Sequence, residues 1–221
     1  MSRSRRRILS AVLLALVLLS GCARVKTETW PDGTTRSTVT MRGGDYDGPA
    51  AWYYEDGTIQ MECTYRDNLL EGRMLRYHTT GMKKEEVHYR KNKADSIYRF
   101  WDVAGNLVVE AFYKDSLLDG GYKEFYPGGK LKVEGQYSQG LYEGQWFWYD
   151  GDGLIVGTAQ YEAGKGVQKA FAPDGSVRQI NWYKNNLKDG PEEFYNAKGE
   201  LTEIRYYSGG ELKEIKNIKK N

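Results

Sequence analysis

The amino-acid sequence predicts an all-β protein in which repeated β-hairpins form one elongated, single-layer antiparallel meander. Three observations support this prediction. The composition of 26 Gly and 18 Tyr with only 5 Pro is typical of a strand-rich chain with many turns. A glycine recurs at a fixed interval of 24 residues, and aromatic residues stand at fixed distances from that glycine. A period of this length predicts stacked copies of one small supersecondary unit.

The repeating glycine lies in a predicted turn, and positions in the repeat are counted from it. Its copies are Gly33, Gly57, Gly81, Gly105, Gly129, Gly153, Gly175 and Gly199. The interval is 24 residues except between Gly153 and Gly175, where it is 22. A second glycine closes most units at position +15, as at Gly48. The sequence therefore predicts about eight units, of which the first, around Gly33, is a degenerate capping copy without the aromatic residues.

Two positions of the repeat are aromatic in all seven remaining units. Position −4 holds Tyr53, Tyr77, Trp101, Phe125, Tyr149, Phe171 and Tyr195, and position +8 holds Tyr65, Tyr89, Tyr113, Tyr137, Tyr161, Tyr183 and Tyr207. A three-residue loop that ends at Gly57 in the left-handed conformation would pair Tyr53 with Ile59. Strict alternation along the next strand then predicts that positions −4, +2, +4, +6 and +8 share one face, where the aromatic side chains form ladders across the sheet.

Stacked hairpins of this kind predict a right-twisted sheet of about 14 to 16 strands without a deep core. The opposite face is expected to be partly apolar, because Trp52, Trp146 and Trp148 fall on it. Such a sheet can curl, pack on itself or offer an aromatic patch to a partner, and the sequence leaves these alternatives open. The last edge strand is expected to be protected by a Lys-rich end, which comprises Lys213, Lys216, Lys219 and Lys220.

Residues 1–21 have the pattern of an export signal, with a basic stretch, a short apolar run over residues 8–19 and small residues after it. The apolar run spans about 18 Å as a helix, too little to cross a hydrocarbon core of about 30 Å. The ending Leu19-Ser20-Gly21-Cys22 resembles the lipobox of bacterial lipoproteins. This resemblance implies that Cys22 carries fatty acyl chains such as palmitate. The segment Ser4–Leu9 also resembles a twin-arginine signal, the alternative export route.

The predicted organisation is a lipoprotein signal peptide over residues 1–21, a short tether over 22–30 and a repeat domain over 31–221. We expect the protein to be lipid-anchored at the cell membrane or the outer membrane, with its domain facing the periplasm or the exterior. Residues 22–221 carry 28 basic and 30 acidic side chains, because all four arginines of residues 1–21 are removed from the total of 32 basic residues. Without a basic excess, nucleic acid is not an expected partner.

No catalytic, cofactor or metal site is predicted. Cys63 has no disulfide partner once Cys22 is acylated, and its position predicts a buried thiol. His78 and His88 are expected to be separate surface imidazoles. The best catalytic candidates are the carboxylates at position +5, namely Glu62, Glu86, Glu110 and Glu134. Carboxylates of successive hairpins would lie about 9.6 Å apart, near the upper range for an inverting glycosidase, but lysines beside them favour a solvated face of mixed charge.

The repeat resembles the bacterial variant of the MORN repeat (membrane occupation and recognition nexus). The best matches are the segments YYEDGTIQMECTYRDNLLEG and FYPGGKLKVEGQYSQGLYEG. The resemblance covers about residues 45–211 and implies a non-catalytic scaffold or protein-binding module. Some bacterial members of that family are described as antitoxins or immunity-like proteins, so occlusion of a toxic partner is the alternative. Glycan binding or processing is a third, weaker hypothesis.

Overall fold

The computed structural model describes residues 22–218, all of whose regular structure is β-strand. The strands are β1 (Arg24–Thr29), β2 (Thr35–Arg42), β3 (Asp45–Tyr53), β4 (Ile59–Arg66), β5 (Leu69–Leu70), β6 (Gly72–Tyr77), β7 (Lys83–Arg90), β8 (Lys93–Trp101), β9 (Leu107–Lys114), β10 (Leu117–Phe125), β11 (Leu131–Ser138), β12 (Leu141–Tyr149), β13 (Ile155–Glu162), β14 (Lys165–Phe171), β15 (Val177–Lys184), β16 (Leu187–Tyr195), β17 (Leu201–Ser208) and β18 (Glu211–Asn217). The expected signal peptide, Lys219 and Lys220 lie outside the described residues. No helix within 22–218 has the length and apolarity to span a membrane.

Successive strands pair antiparallel in chain order, so the predicted meander of hairpins is confirmed. The turn around Gly57 has the expected geometry. Its N–H donates to the carbonyl of Tyr54 at 3.0 Å, the N–H of Tyr54 donates to the carbonyl of Thr58 at 2.8 Å, and Gly57 has a φ of 82°. The predicted pair of Tyr53 with Ile59 is also present. The local turn chemistry therefore sets the hairpin as the sequence indicates.

The sheet is slightly wider than expected. Because β5 and β6 both pair with β4 and together form one interrupted strand, the 18 strands occupy 17 positions. The additional position comes from β18, a half-unit that follows the last hairpin. At the other edge, residues 24–29 form β1 and pair with β2 rather than serving as the expected tether. Only Cys22 and Ala23 precede β1 in the described part of the chain.

The expectation that both aromatic positions share one face is wrong. After the pair Tyr53–Ile59, the next pair is Trp52 with Met61, so Gln60 is an extra residue in β4. The same irregularity occurs beside the turn of every hairpin from Gly57 to Gly199. A bulge of one residue reverses the alternation between the two strands. Positions +4, +6 and +8 therefore share a face with positions −5 and −7, and position −4 lies on the opposite face.

We call the face of the +8 tyrosines face A and the face of the −4 aromatic residues face B. Face A carries two clusters of buried side chains. The first consists of Val39, Ala50, Cys63, Met74 and Val87, and the second of Val133, Trp146, Ala159 and Tyr161. Most of these residues occupy positions +6 and −7, which are directly opposite each other in neighbouring strands. The Cys63 residue is only 6% exposed, which confirms the predicted burial of its thiol.

Extensive contacts between the described strands are limited to neighbours in the chain. Of the alternatives left open by the sequence, packing of the sheet on itself is therefore not observed within residues 22–218. Stability comes from each hairpin covering the next, which is the organisation of a repeat protein.

Candidate functional site

Face A uses its aromatic side chains mainly for internal packing. Trp146, from β12, lies at the centre of the richest cluster. Ring centroids at 4.8 to 6.5 Å from that of Trp146 belong to Tyr122, Tyr137, Tyr142, Trp148 and Tyr161. Most of these pairs have the edge-to-face geometry that favours aromatic contacts. Trp146 and Tyr161 are only 3% and 2% exposed, so the centre of this cluster is closed to a partner, while its outer rings are half-buried.

Two features fix Trp146 in this position. Its indole Nε1 donates to the carbonyls of Gln136 at 3.1 Å and Glu143 at 3.2 Å. Its ring covers Gly135 on the neighbouring strand, where no side chain is present to obstruct it. The buried Nε1 is therefore hydrogen-bonded, as a polar group in an apolar cluster requires.

Burial on face A also perturbs the phenols. Loss of hydration raises the pKa of Tyr98 and that of Tyr183 to about 12, because the phenolate is the charged form. The same cause raises the pKa of Tyr161 further. No general acid or base for neutral pH follows from phenols shifted in this direction.

Face B carries the −4 aromatic residues, which are half-buried in all seven units. Two of them are held by carboxylates of position +5. The hydroxyl of Tyr77 donates to Glu62 at 2.7 Å, and that of Tyr149 donates to Glu134 at 2.6 Å. The pKa of Tyr77 rises to about 12 through burial and then this hydrogen bond, and that of Tyr149 rises to about 12 chiefly through its hydrogen bond. Glu62 and Glu134 thus have structural partners.

The carboxylates proposed as catalytic candidates alternate with other side chains across face B. Successive neighbours in the sheet are Glu62, Leu75, Glu86, Arg99, Glu110, Lys123 and Glu134. Arg99 donates from Nε to Glu110 at 2.8 Å and lies 3.9 Å from Glu86. This arrangement agrees with the expected mixed-charge face, although Glu86 is buried rather than solvated.

The centre of face B contains an open groove that runs across strands β10 to β14. It consists of two adjoining hollows of about 530 and 520 Å³, which share Gln145 and Phe147 as lining residues. Lys123 and Glu134 line the first hollow, and Lys169 lines the second. The arrangement places an aromatic ring between charged groups of both signs. Such a surface suits a protein partner with complementary polar groups around an apolar anchor.

The histidines do not form a common site. His78 places its Nε2 3.0 Å from the carbonyl of Trp101, in the next hairpin. Tyr54 and Tyr126, at the same repeat position, donate to the equivalent carbonyls of Tyr77 and Tyr149. His88 is half-buried with an unpartnered Nδ1, so the expectation of two surface imidazoles does not hold. Among residues 22–218, no three His, Cys, Asp or Glu side chains are grouped closely enough to hold a metal ion.

Sequence reasoning missed the groove around Phe147 and the central row of positions −7 and +6. The signal for the row was the volume of alternating residues. Large residues at position −7 lie beside small residues at position +6. Across the sheet the order is Tyr98, Ala111, Tyr122, Gly135, Trp146 and Ala159. No feature of the sequence indicated the groove, because the bulge decides which side chains of the first strand of each hairpin share a face with those of the second.

Comparison with known proteins supports the repeat. Three segments match the family model described as MORN repeat variant, namely residues 46–67, 70–91 and 118–139. They coincide with the hairpins around Gly57, Gly81 and Gly129. No curated protein matches the chain. The chain therefore carries MORN repeat variants in at least three hairpins of its β-sheet.

Proposed function

We propose that the protein is a non-catalytic lipoprotein of the cell envelope that binds another protein through face B. The observation that carries this proposal is the groove around Phe147, flanked by Lys123, Glu134 and Lys169. Face A is the less suitable surface for a partner, because its tyrosines pack against one another. The recognition surface we infer is therefore only half of the aromatic set that the sequence suggested.

A scaffold role is also consistent with the chemistry of face B. Glu86 and Glu110 are within reach of Arg99, and Glu62 and Glu134 accept hydrogen bonds from tyrosines. Pairing of this kind leaves none of these four carboxylates poised as a general base beside a second one as acid. MORN-type repeats, which the chain resembles, serve as scaffolds and protein-binding surfaces.

The proposal is tested by site-specific photo-crosslinking in intact cells. A photoreactive phenylalanine analogue replaces Phe147 in one variant and Val103 in the other, a turn residue that is 59% exposed and remote in the repeat array. We expect a discrete protein adduct at position 147 and a much weaker one at position 103. Equal adducts at both positions, or purified protein that binds only liposomes or glycans, would contradict a protein-binding role for face B.

The lipid anchor is tested separately by fractionation. Cys22→Ala is expected to release the protein from membranes, whereas Cys63→Ala, which changes a buried thiol, should leave it membrane-bound. Retention of the Cys22→Ala variant in the membrane fraction would count against acylation of Cys22.

A further inference from the structure

The last strand, β18, has an unpaired edge among the described residues. All seven of its residues are exposed, and it pairs only with β17 within residues 22–218. Its two large apolar side chains, Leu212 and Ile215, are 47% and 51% exposed. An edge strand with exposed apolar residues can pair with another strand.

The backbone of β18 shows which groups are available. The N–H of Ile218 donates to the carbonyl of Thr202 at 2.9 Å, and Ile215 lies opposite Arg205 in the register. Hydrogen-bonded and non-hydrogen-bonded pairs alternate along an antiparallel ladder. By that alternation, the N–H and C=O groups of Ile215 and Asn217 point away from β17. These residues can form a second ladder without disturbing the first.

The side chains favour pairing of β18 with a second copy of itself. Residues that lie opposite each other in a sheet share a face, so a symmetric antiparallel pair must be centred on one residue. Centring on Ile215 places it against Ile215 of the partner subunit. Glu214 then lies opposite the partner's Lys216, and symmetry repeats this pair on the other side. Centring on Lys213, Glu214 or Lys216 would oppose like charges.

We propose that two copies of this protein pair through β18 in an antiparallel manner, with Ile215 at the two-fold axis, and so join their sheets into one. This inference does not depend on the proposed function, because it uses an edge rather than face B. The sequence suggested that lysines protect this edge. In the self-paired register, however, the charge of Lys216 is compensated by the partner's Glu214, so it does not prevent association.

Disulfide crosslinking tests the register directly. Ile215→Cys is made in the full chain with Cys22→Ala, so that the buried Cys63 is the only other thiol. Opposed residues at the axis would have Cα atoms about 5.5 Å apart, within the range of a disulfide. We expect a covalent dimer on mild oxidation. The matched control is Val25→Cys on the β1 edge, where the native side chain is 63% exposed, more than the 51% of Ile215, and which should give little dimer. Failure of Ile215→Cys to crosslink, or equal crosslinking of both variants, would overturn the proposal.

A charge reversal tests the same interface without new thiols. Glu214→Lys would place lysines opposite each other twice, so we expect dimerisation in sedimentation equilibrium to weaken about tenfold or more. The double variant with Lys216→Glu restores the complementary pairs and should recover the dimer. Glu28→Lys on β1 makes the same change in net charge and should have little effect. A chain that is monomeric at all accessible concentrations, or a dimer insensitive to Glu214→Lys, would refute the inference.

Discussion

The indole ring of Trp146 lies directly over Gly135, and a Cβ added to that glycine would come within 2.1 Å of ring atom Cδ2. Other repeats hold Cys63, Val87 or Ala111 at this position. The largest aromatic side chain of the central row therefore depends on the smallest residue in the neighbouring strand. This pair is the tightest point of the second cluster on face A.

We accordingly expect Gly135→Ala to destabilise the protein by about 1 to 3 kcal/mol, because the added methyl overpacks the ring. Urea unfolding measures the change. Gly151→Ala is the matched control, since a Cβ there meets no atom within 4 Å. Combining Gly135→Ala with Trp146→Phe should reduce the penalty of the alanine; an undiminished penalty would show that the ring is not its cause.

Ser96 identifies a substitution that should stabilise the fold. It occupies the +15 position, where other repeats place glycines such as Gly48 and Gly120, and it has a φ of 97°. A non-glycine residue at this φ is strained by roughly 1 to 3 kcal/mol. We expect Ser96→Gly to raise the free energy of unfolding by about 1 kcal/mol. Ser138→Gly, within β11 and outside the left-handed region, should instead lower it slightly; a loss of stability with Ser96→Gly would contradict the strain.

Alkaline pH should destabilise the protein through its buried tyrosines. The pKa of Tyr98 is about 12 in the folded chain and about 10 when exposed by unfolding. Between these values the folded chain binds more protons, so stability is full below pH 10 and decreases as the pH rises towards 12. During a pH titration, tyrosinate absorbance should appear at higher pH in the native protein than in the protein unfolded in urea. Titration of all phenols near pH 10 in the folded protein would refute this prediction.

Cys63 should be nearly inert towards thiol reagents. Burial raises its pKa to about 11, so little thiolate forms at pH 8, and the side chain is shielded. In the Cys22→Ala variant, we expect modification by a maleimide only as fast as the protein unfolds locally, with prompt reaction in urea. Leu117→Cys, at a half-exposed position near a turn, supplies a reactive reference thiol. Comparable native rates at the two positions would contradict burial.

Much of the architecture could be predicted because it depends on local chemistry. The Asp56-Gly57 turn fixes its own conformation, and it sets the pair of Tyr53 with Ile59. The assignment of faces failed one residue further along. Strict alternation assumes a regular ladder, whereas the extra residue Gln60 follows from how the twisted strands fit together, and spacing does not reveal it.

The ends of the sheet were also harder to predict than its middle. β1 has no aromatic residue at a repeat position, and within residues 22–218 β18 is not followed by the second strand of a hairpin. Both form strands because the neighbouring strand presents unpaired backbone N–H and C=O groups, a cause that lies outside their own residues. Similarly, the groove around Phe147 depends on three successive hairpins together. Its candidate role could be inferred only once the bulge had placed Glu134 on the same face as Phe147 and Tyr149.

The position of β1 would determine how a lipidated molecule stands on its membrane. If Cys22 is acylated, only Cys22 and Ala23 would connect the acyl chains to β1, and two residues reach about 7 Å. The first hairpin would then rest among the headgroups. The far edge lies sixteen strand spacings away, about 75 Å along the sheet. A single short attachment at one edge would thus leave the rest of the elongated sheet extending away from that edge, where partner proteins could reach both of its faces.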